Sequence, residues 1–222
     1  HRISAEGGSR FGMRRTSSSP TNGMRLNSSL RPSRLLDREA AVALLIILVM
    51  SLVSLGYVYS RNSTDLDGDG WHHVKRARLL TDSLNPGYQQ IGTVWLPLFH
   101  LLAAPMAMND FLWRTGLAGS FVSMASFVTA GLGLFWILRL MFERRGVVWL
   151  GLTIFLLNPS WLYYQTTPMQ EPLSMALLVL SVLLLLLCGF GVVVFRLVTL
   201  QVLQAAELTV KADRQHQKTV SL

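Results

Sequence analysis

A-A-V-A-L-L-I-I-L-V-M-S-L-V-S-L-G-Y-V-Y, residues 40–59, contains no charged side chain and is closed by Arg61. A hydrocarbon core of about 30 Å needs roughly 20 apolar residues in helical form, so this run reads as a membrane span. T-D-L-D-G-D-G-W-H-H (64–73) follows it almost at once, holding Asp65, Asp67, Asp69, His72, His73 and a tryptophan at a membrane surface. A second acidic element, Q-T-T-P-M-Q-E-P-L (165–173), lies between two later apolar runs.

The 222 residues are 51% hydrophobic and 14% charged, with the charges kept out of the long apolar runs. That is the composition of a membrane protein rather than of a soluble domain. The chain carries a net charge of +8, and eight of its twenty Lys and Arg residues lie ahead of the first span: Arg2, Arg10, Arg14, Arg15, Arg25, Arg31, Arg34 and Arg38. Apart from Phe11, no aromatic residue interleaves with these arginines, which argues against nucleic acid as a partner. A basic tail ahead of a span is the positive-inside signal. Cys188 is the single cysteine and lies in an apolar run, so no disulfide framework or cysteine-based metal site is expected. Met24 is the expected start and Met13 the other choice. The segment 1–39 is expected to be a disordered, basic, cytoplasmic tail. The first run is too long for a signal peptide and lacks a small-residue cleavage site.

Further spans are expected at about 111–138, 146–164 and 172–195. The piece 94–108 is apolar but short and carries Pro97 and Pro105, as interfacial or re-entrant segments do. With four spans, Arg139, Arg144, Arg145 and the basic 196–218 region fall on the cytoplasmic side with the N-terminal tail. A fifth span would move the 143–145 turn outside. The expected fold is therefore an all-α membrane protein of about four transmembrane helices, with interfacial helices at 71–84 and 94–108 in the first outward loop. For 71–84, an apolar stripe of Trp71, Val74, Leu79 or Leu80, and Leu84 is expected, with Asn85-Pro86-Gly87 ending the helix. The four-span count turns both acidic segments to one face.

Each motif has a plain reading beside its functional one. Asp65–Gly70 opens like a calcium loop, but position twelve of an EF-hand, which needs a bidentate Glu, is Arg76 here. Asp-Gly-Asp-Gly is also ordinary turn chemistry. Adjacent His72 and His73 point about 100° apart on a helix and do not readily share a ligand. Glu171 is either a helix-start carboxylate before Pro172 or part of a site. Arg114 either snorkels or neutralises a lipid phosphate.

D-G-W-H-H-V-K-R-A-R-L-L (69–80), W-L-P-L-F-H-L-L (95–102), Arg114 and N-P-S-W-L-Y-Y-Q-T-T-P-M-Q-E-P-L (158–173) together resemble the GT-C superfamily of membrane glycosyltransferases. They resemble in particular the protein-mannosyltransferase and aminoarabinose-transferase branch, and the likeness covers about 40–187. It implies a catalytic Asp in the first outward loop and a second acidic site in the next. It also implies a polyprenyl-phosphate-linked sugar donor, an inverting reaction and residence in the bacterial inner (plasma) membrane, with membrane lipid as a partner. Many members carry Asp-Glu where this chain has Asp69-Gly70, so Asp67 and Asp69 both stand as the catalytic acid. Glu171, Arg114, His72 and His73 are the candidate substrate-binding residues. Asp67, Asp69 and Glu171 are the candidate ligands of a divalent metal ion. The chemistry points the same way: a hydroxyl attacking a sugar C1 needs a base, and a lipid-phosphate leaving group needs positive charge.

G-V-V-V-F-R-L-V-T-L-Q-V-L-Q-A-A-E-L-T-V-K-A-D-R-Q-H-Q-K-T-V-S-L (191–222) resembles the membrane-exit segment of class B penicillin-binding proteins. That would make 188–222 the end of the last span plus an amphipathic tail of separate origin, joined near 183–191. The expectation is thus an N-terminal fragment of a glycosyltransferase. The alternatives are a non-enzymatic membrane anchor or assembly protein, or a composite chain. A transporter is disfavoured because no ionisable residue lies mid-span.

Overall fold

The computed structural model describes residues 32–62, 64, 68–91, 95–205, 209–212, 214 and 215, and among these it is helical, with no strand. In chain order the helices are α1 (Pro32–Ser60), α2 (Gly68–Leu79), α3 (Pro97–Ala107), α4 (Asp110–Arg114), α5 (Leu117–Met141), α6 (Arg145–Leu156), α7 (Pro159–Tyr164) and α8 (Glu171–Val198). A π-helical turn, Thr199–Leu203, continues α8. Three stretches are long and apolar enough to cross a membrane: Arg38–Ser60, Leu117–Met141 and Glu171–Val202. At 1.5 Å per residue they are each over about 30 Å long.

α5 is the hub because its sequence is rich in small side chains. Ala118, Gly119, Ser120, Ser123, Ser126, Ala130, Gly131 and Gly133 are all buried along it. Small residues let helix backbones approach closely where no hydrophobic effect drives association. α1 runs antiparallel to α5: a methyl on Gly131 would sit 3.0 Å from Ile47 Cδ1. At one end of this pair Thr64 Oγ1 donates to the Thr115 carbonyl (2.8 Å). At the other, Glu39 is 3.0 Å from Arg145 and 3.7 Å from Arg139. The bundle thus has a loop end and an arginine end. α6 runs back against α5, with Phe155 stacked on Phe127 at 5.0 Å and Trp149 5.9 Å from Phe135. α8 starts at the loop end and runs parallel to α5, its Val179 lying against Gly133.

Several boundaries differ from the sequence expectation, each for a local reason. The expected span 146–164 is two short helices, α6 and α7, broken at Asn158-Pro159. Asn158 is extended (φ −71°, ψ 113°) and its side chain caps Ser160 N at 3.0 Å, as a residue before proline is biased to be. The expected span 111–138 is split by Gly116, whose left-handed φ of 75° separates α4 from α5. The 71–84 helix stops at Leu79, where Thr81 bonds the Arg78 carbonyl (3.3 Å) and Gly87 N closes the turn onto Leu80 O (3.0 Å). The expected stripe is also different. α2 buries Gly70, His73, Val74 and Ala77, while Trp71 packs beside Trp113 and Leu84 is fully exposed. Small Gly70 and Ala77 admit the neighbouring elements more closely than larger side chains would. The 94–108 piece forms α3 over Pro97–Ala107, with Pro97 in its first turn and Pro105 inside it; residue 94 lies outside the described residues, as do all of 1–31. The rest of the tail expected to be disordered through 39 is helical, α1 starting at Pro32.

Candidate functional site

The loop end is assembled around a non-helical segment, 165–170, that penetrates between α1 and α5. Its backbone groups need partners wherever water cannot reach, and serines supply them. Ser120 Oγ donates to Thr166 O and Ser123 Oγ to Met169 O, both at 2.8 Å. Ser51 Oγ donates to Gln165 Oε1 at 2.6 Å, and Gln165 Nε2 returns a bond to the Ser51 carbonyl at 3.3 Å. Gln165, Thr166 and Thr167 are fully buried.

This segment carries Pro168 into the start of α2. A methyl on Gly70 would lie 3.0 Å from Pro168 Cγ, and one on Gly119 would lie 2.3 Å from Pro168 Cβ. Asp69 and Glu171 each stand within three positions of that contact along the chain. The two acidic segments therefore occupy one end of the bundle. Asp69 is exposed in the first turn of α2, and Glu171 is exposed as the first residue of α8. Both positions suit a carboxylate, because unpaired helix N–H groups favour negative charge. Glu171 borders a shallow groove of about 290 Å³ with Trp161, Ser174, Met175 and Leu178. Arg114 ends α4 and is exposed, its guanidinium 6.0 Å from the centre of the Trp113 ring. Among the described residues it makes no ion pair with either carboxylate.

Asp67, and Asp65 with it, lies outside the described residues. Among those described, no group of three or more His, Cys, Asp or Glu side chains is placed to hold a metal ion. The adjacent histidines separate as helical geometry requires. His72 is exposed, its ring 6.1 Å from Trp95, while His73 turns inward to His100. Sequence reasoning gave His100 no role. Its signal was a lone imidazole inside the apolar run 96–107.

Arg78 holds the cap of short helices together. It reaches Asp82 (2.8 Å), Asp110 (2.9 Å) and the carbonyls of Ala107 (2.9 Å) and Met108 (3.1 Å), with its charge 5.2 Å from the Trp113 ring. Those carbonyls belong to the end of α3, where intrahelical donors have run out. The bond to Asp82 raises the Arg78 pKa, and burial opposes it. Arg78→Lys keeps the charge but loses the planar fork. It should lower the thermal midpoint in detergent and speed amide exchange around 107–110, whereas Lys75→Ala, at an exposed site, should do neither. Equal behaviour of the two variants would remove Arg78 from this role.

Compared with family models, curated proteins and solved structures, the chain matches none.

Proposed function

We propose that the chain is part of a GT-C-like membrane glycosyltransferase that moves a sugar from a polyprenyl-phosphate donor to an acceptor hydroxyl. What supports the reading above all is the Gly70–Pro168 contact, since two acidic segments about a hundred positions apart meet at one end of an apolar bundle. In this reading Asp69 takes the proton of the acceptor hydroxyl as its oxygen attacks the sugar C1. The bond from C1 to the phosphate oxygen breaks, with its electron pair leaving on the lipid phosphate. Arg114, or a divalent cation held by Asp67, Asp69 and Glu171, offsets that charge; His72 belongs to the binding wall. The test is the full-length protein in nanodiscs with a polyprenyl-phosphate-linked sugar, following release of polyprenyl phosphate. No release from any such donor would sink the reading.

The topology that goes with it has four crossings, the third made by α6 and α7 as a broken pair, with α2 and α3 at the interface. The N-terminus, Arg139, Arg144 and Arg145 then lie in the cytoplasm of a bacterial cell. In a Cys188→Ser background, a cysteine at Gln170 should label from outside and one at Arg144 only from inside. Outside labelling at 144 would overturn the four-crossing arrangement.

A second reading, a membrane anchor or assembly protein or a composite chain, is favoured by α8 alone. Only Pro172 and Ala176 of α8 are buried, and Leu185, Phe190 and Phe195 are 72–73% exposed. The helix leaves the bundle close to 183–191, where a junction with a penicillin-binding-protein-like segment would fall.

A further inference from the structure

Where α2 meets α3, two histidines face each other inside the protein. His73 is 1% exposed and His100 is fully buried, with His73 Nδ1 2.9 Å from His100 Nε2. Aromatic and aliphatic side chains pack beside them. The ring centres of Trp95 and Phe99 lie 5.0 and 5.3 Å from that of His73, and Val74, Ala77 and Ala103 are fully buried nearby. His100 Nδ1 has no hydrogen-bond partner.

Counting protons shows what such a pair responds to. With both rings neutral, one facing nitrogen carries the hydrogen and the other accepts it. One added proton preserves that bond but places a cation in an apolar pocket; on His100 Nδ1 it also creates an unpartnered buried N–H. A second removes the acceptor and the bond with it. Both changes cost most in a buried setting. The bond is a polar tie between α2 and α3, beside the one that Arg78 makes to the Ala107 carbonyl, and α2 carries Asp69 one turn before His73.

We propose that the His73–His100 pair is a proton-operated latch, holding α2 against α3 and α5 while neutral and releasing it in mild acid. Its consequence for sugar transfer, loss of the docked Asp69 position, rests on the function proposed above; the latch itself does not.

Among the described residues, the charges on the helices around the pair are few. On α2 they are Asp69, Lys75 and Arg76, together with His72, which turns out toward Trp95, and Arg78, which is engaged with Asp82 and Asp110. α3 has no other ionisable side chain, and α5 has none before Arg139; α4 adds Asp110 and Arg114. Burial, and after it Arg76, lowers the His100 pKa below that of an exposed histidine. The sign follows. The released state takes up a proton first, so the contact is intact above the exposed-histidine range. It is lost as pH falls from there toward the lowered value.

Hydrogen exchange of the full-length protein in nanodiscs, corrected for the intrinsic pH dependence of exchange, tests this between about pH 8 and about pH 5. Protection of the α2 amides should fall about tenfold for each pKa unit separating the docked and released states, while α5 stays protected. In His100→Phe, and in His100→Gln, which can still donate to His73 Nδ1, that pH dependence should weaken, because only His73 is left to titrate. In Asp69→Asn it should persist even though transfer is lost. No acid-dependent change in the unaltered protein, or the same change in both His100 variants, overturns the latch. Its disappearance in Asp69→Asn would do so too, by making the carboxylate the sensor. A working latch in a protein that consumes no donor overturns the glycosyltransferase reading alone.

Discussion

Asp69→Asn is expected to reduce sugar transfer by about 10²–10⁴-fold, the usual cost of removing a positioned general base. The amide has nearly the shape of the carboxylate but cannot take a proton at neutral pH. Asp69 is exposed in the first turn of α2, so the change also weakens its interaction with the helix dipole, by about 0.3–1 kcal/mol. That is too little to undo a helix whose Val74 and Ala77 are fully buried against its neighbours. Loss of rate with unchanged expression and thermal midpoint therefore assigns the effect to chemistry. The check is the initial rate of polyprenyl-phosphate release, beside Asp67→Asn and Asp69→Glu. Near-normal rates in both asparagine variants would leave Asp-Gly-Asp-Gly as turn chemistry only. A loss confined to Asp67→Asn would move the base to that residue.

The second large effect belongs to a glycine. In Gly119→Ala the new methyl would fall 2.3 Å from Pro168 Cβ, 2.9 Å from Pro168 Cα and 3.2 Å from Val74 Cγ2. Pro168 is buried in a segment whose carbonyls are tied to Ser120 and Ser123, so neither ring nor backbone can swing aside. Overpacking of this kind costs about 1–3 kcal/mol, and more where backbone must shift. Gly119→Ala should lower the thermal midpoint by several degrees, and Gly119→Val further, while pushing 165–170 away from α2. Gly56→Ala and Gly146→Ala are the contrast, because nothing lies within 4 Å of either added methyl. They should be neutral or stabilising, by up to about 1 kcal/mol from helix propensity. A midpoint for Gly119→Ala equal to theirs would refute the close packing of α5 on Pro168.

Much of this protein is decided by sequence alone. The uncharged run 40–59, the apolar run within 117–141 and the Leu/Val run after Pro172 are helices long enough to cross a membrane, because burying a charge in hydrocarbon is costly and backbone groups there must bond within the segment. The proline starts of α3, α7 and α8, and the division of His72 from His73, also follow from local rules. Local rules misjudged the Asn158-Pro159 break, the left-handed Gly116 and the early end of α2, and they set the start of α1 too late. For the breaks at Asn158-Pro159 and Gly116 a signal stood in the sequence, but the hydrophobic run outweighed it. Other features had no local signal at all. That Pro168 seats between Gly70 and Gly119, that Ser120 and Ser123 serve carbonyls 46 positions away, and that His73 finds His100 across 27 positions depend on which helix faces meet. Periodicity shows that a face is small or apolar. It does not name the partner, because in an apolar surrounding many pairings bury the same surface, and only close packing and the need to satisfy each buried polar group select among them.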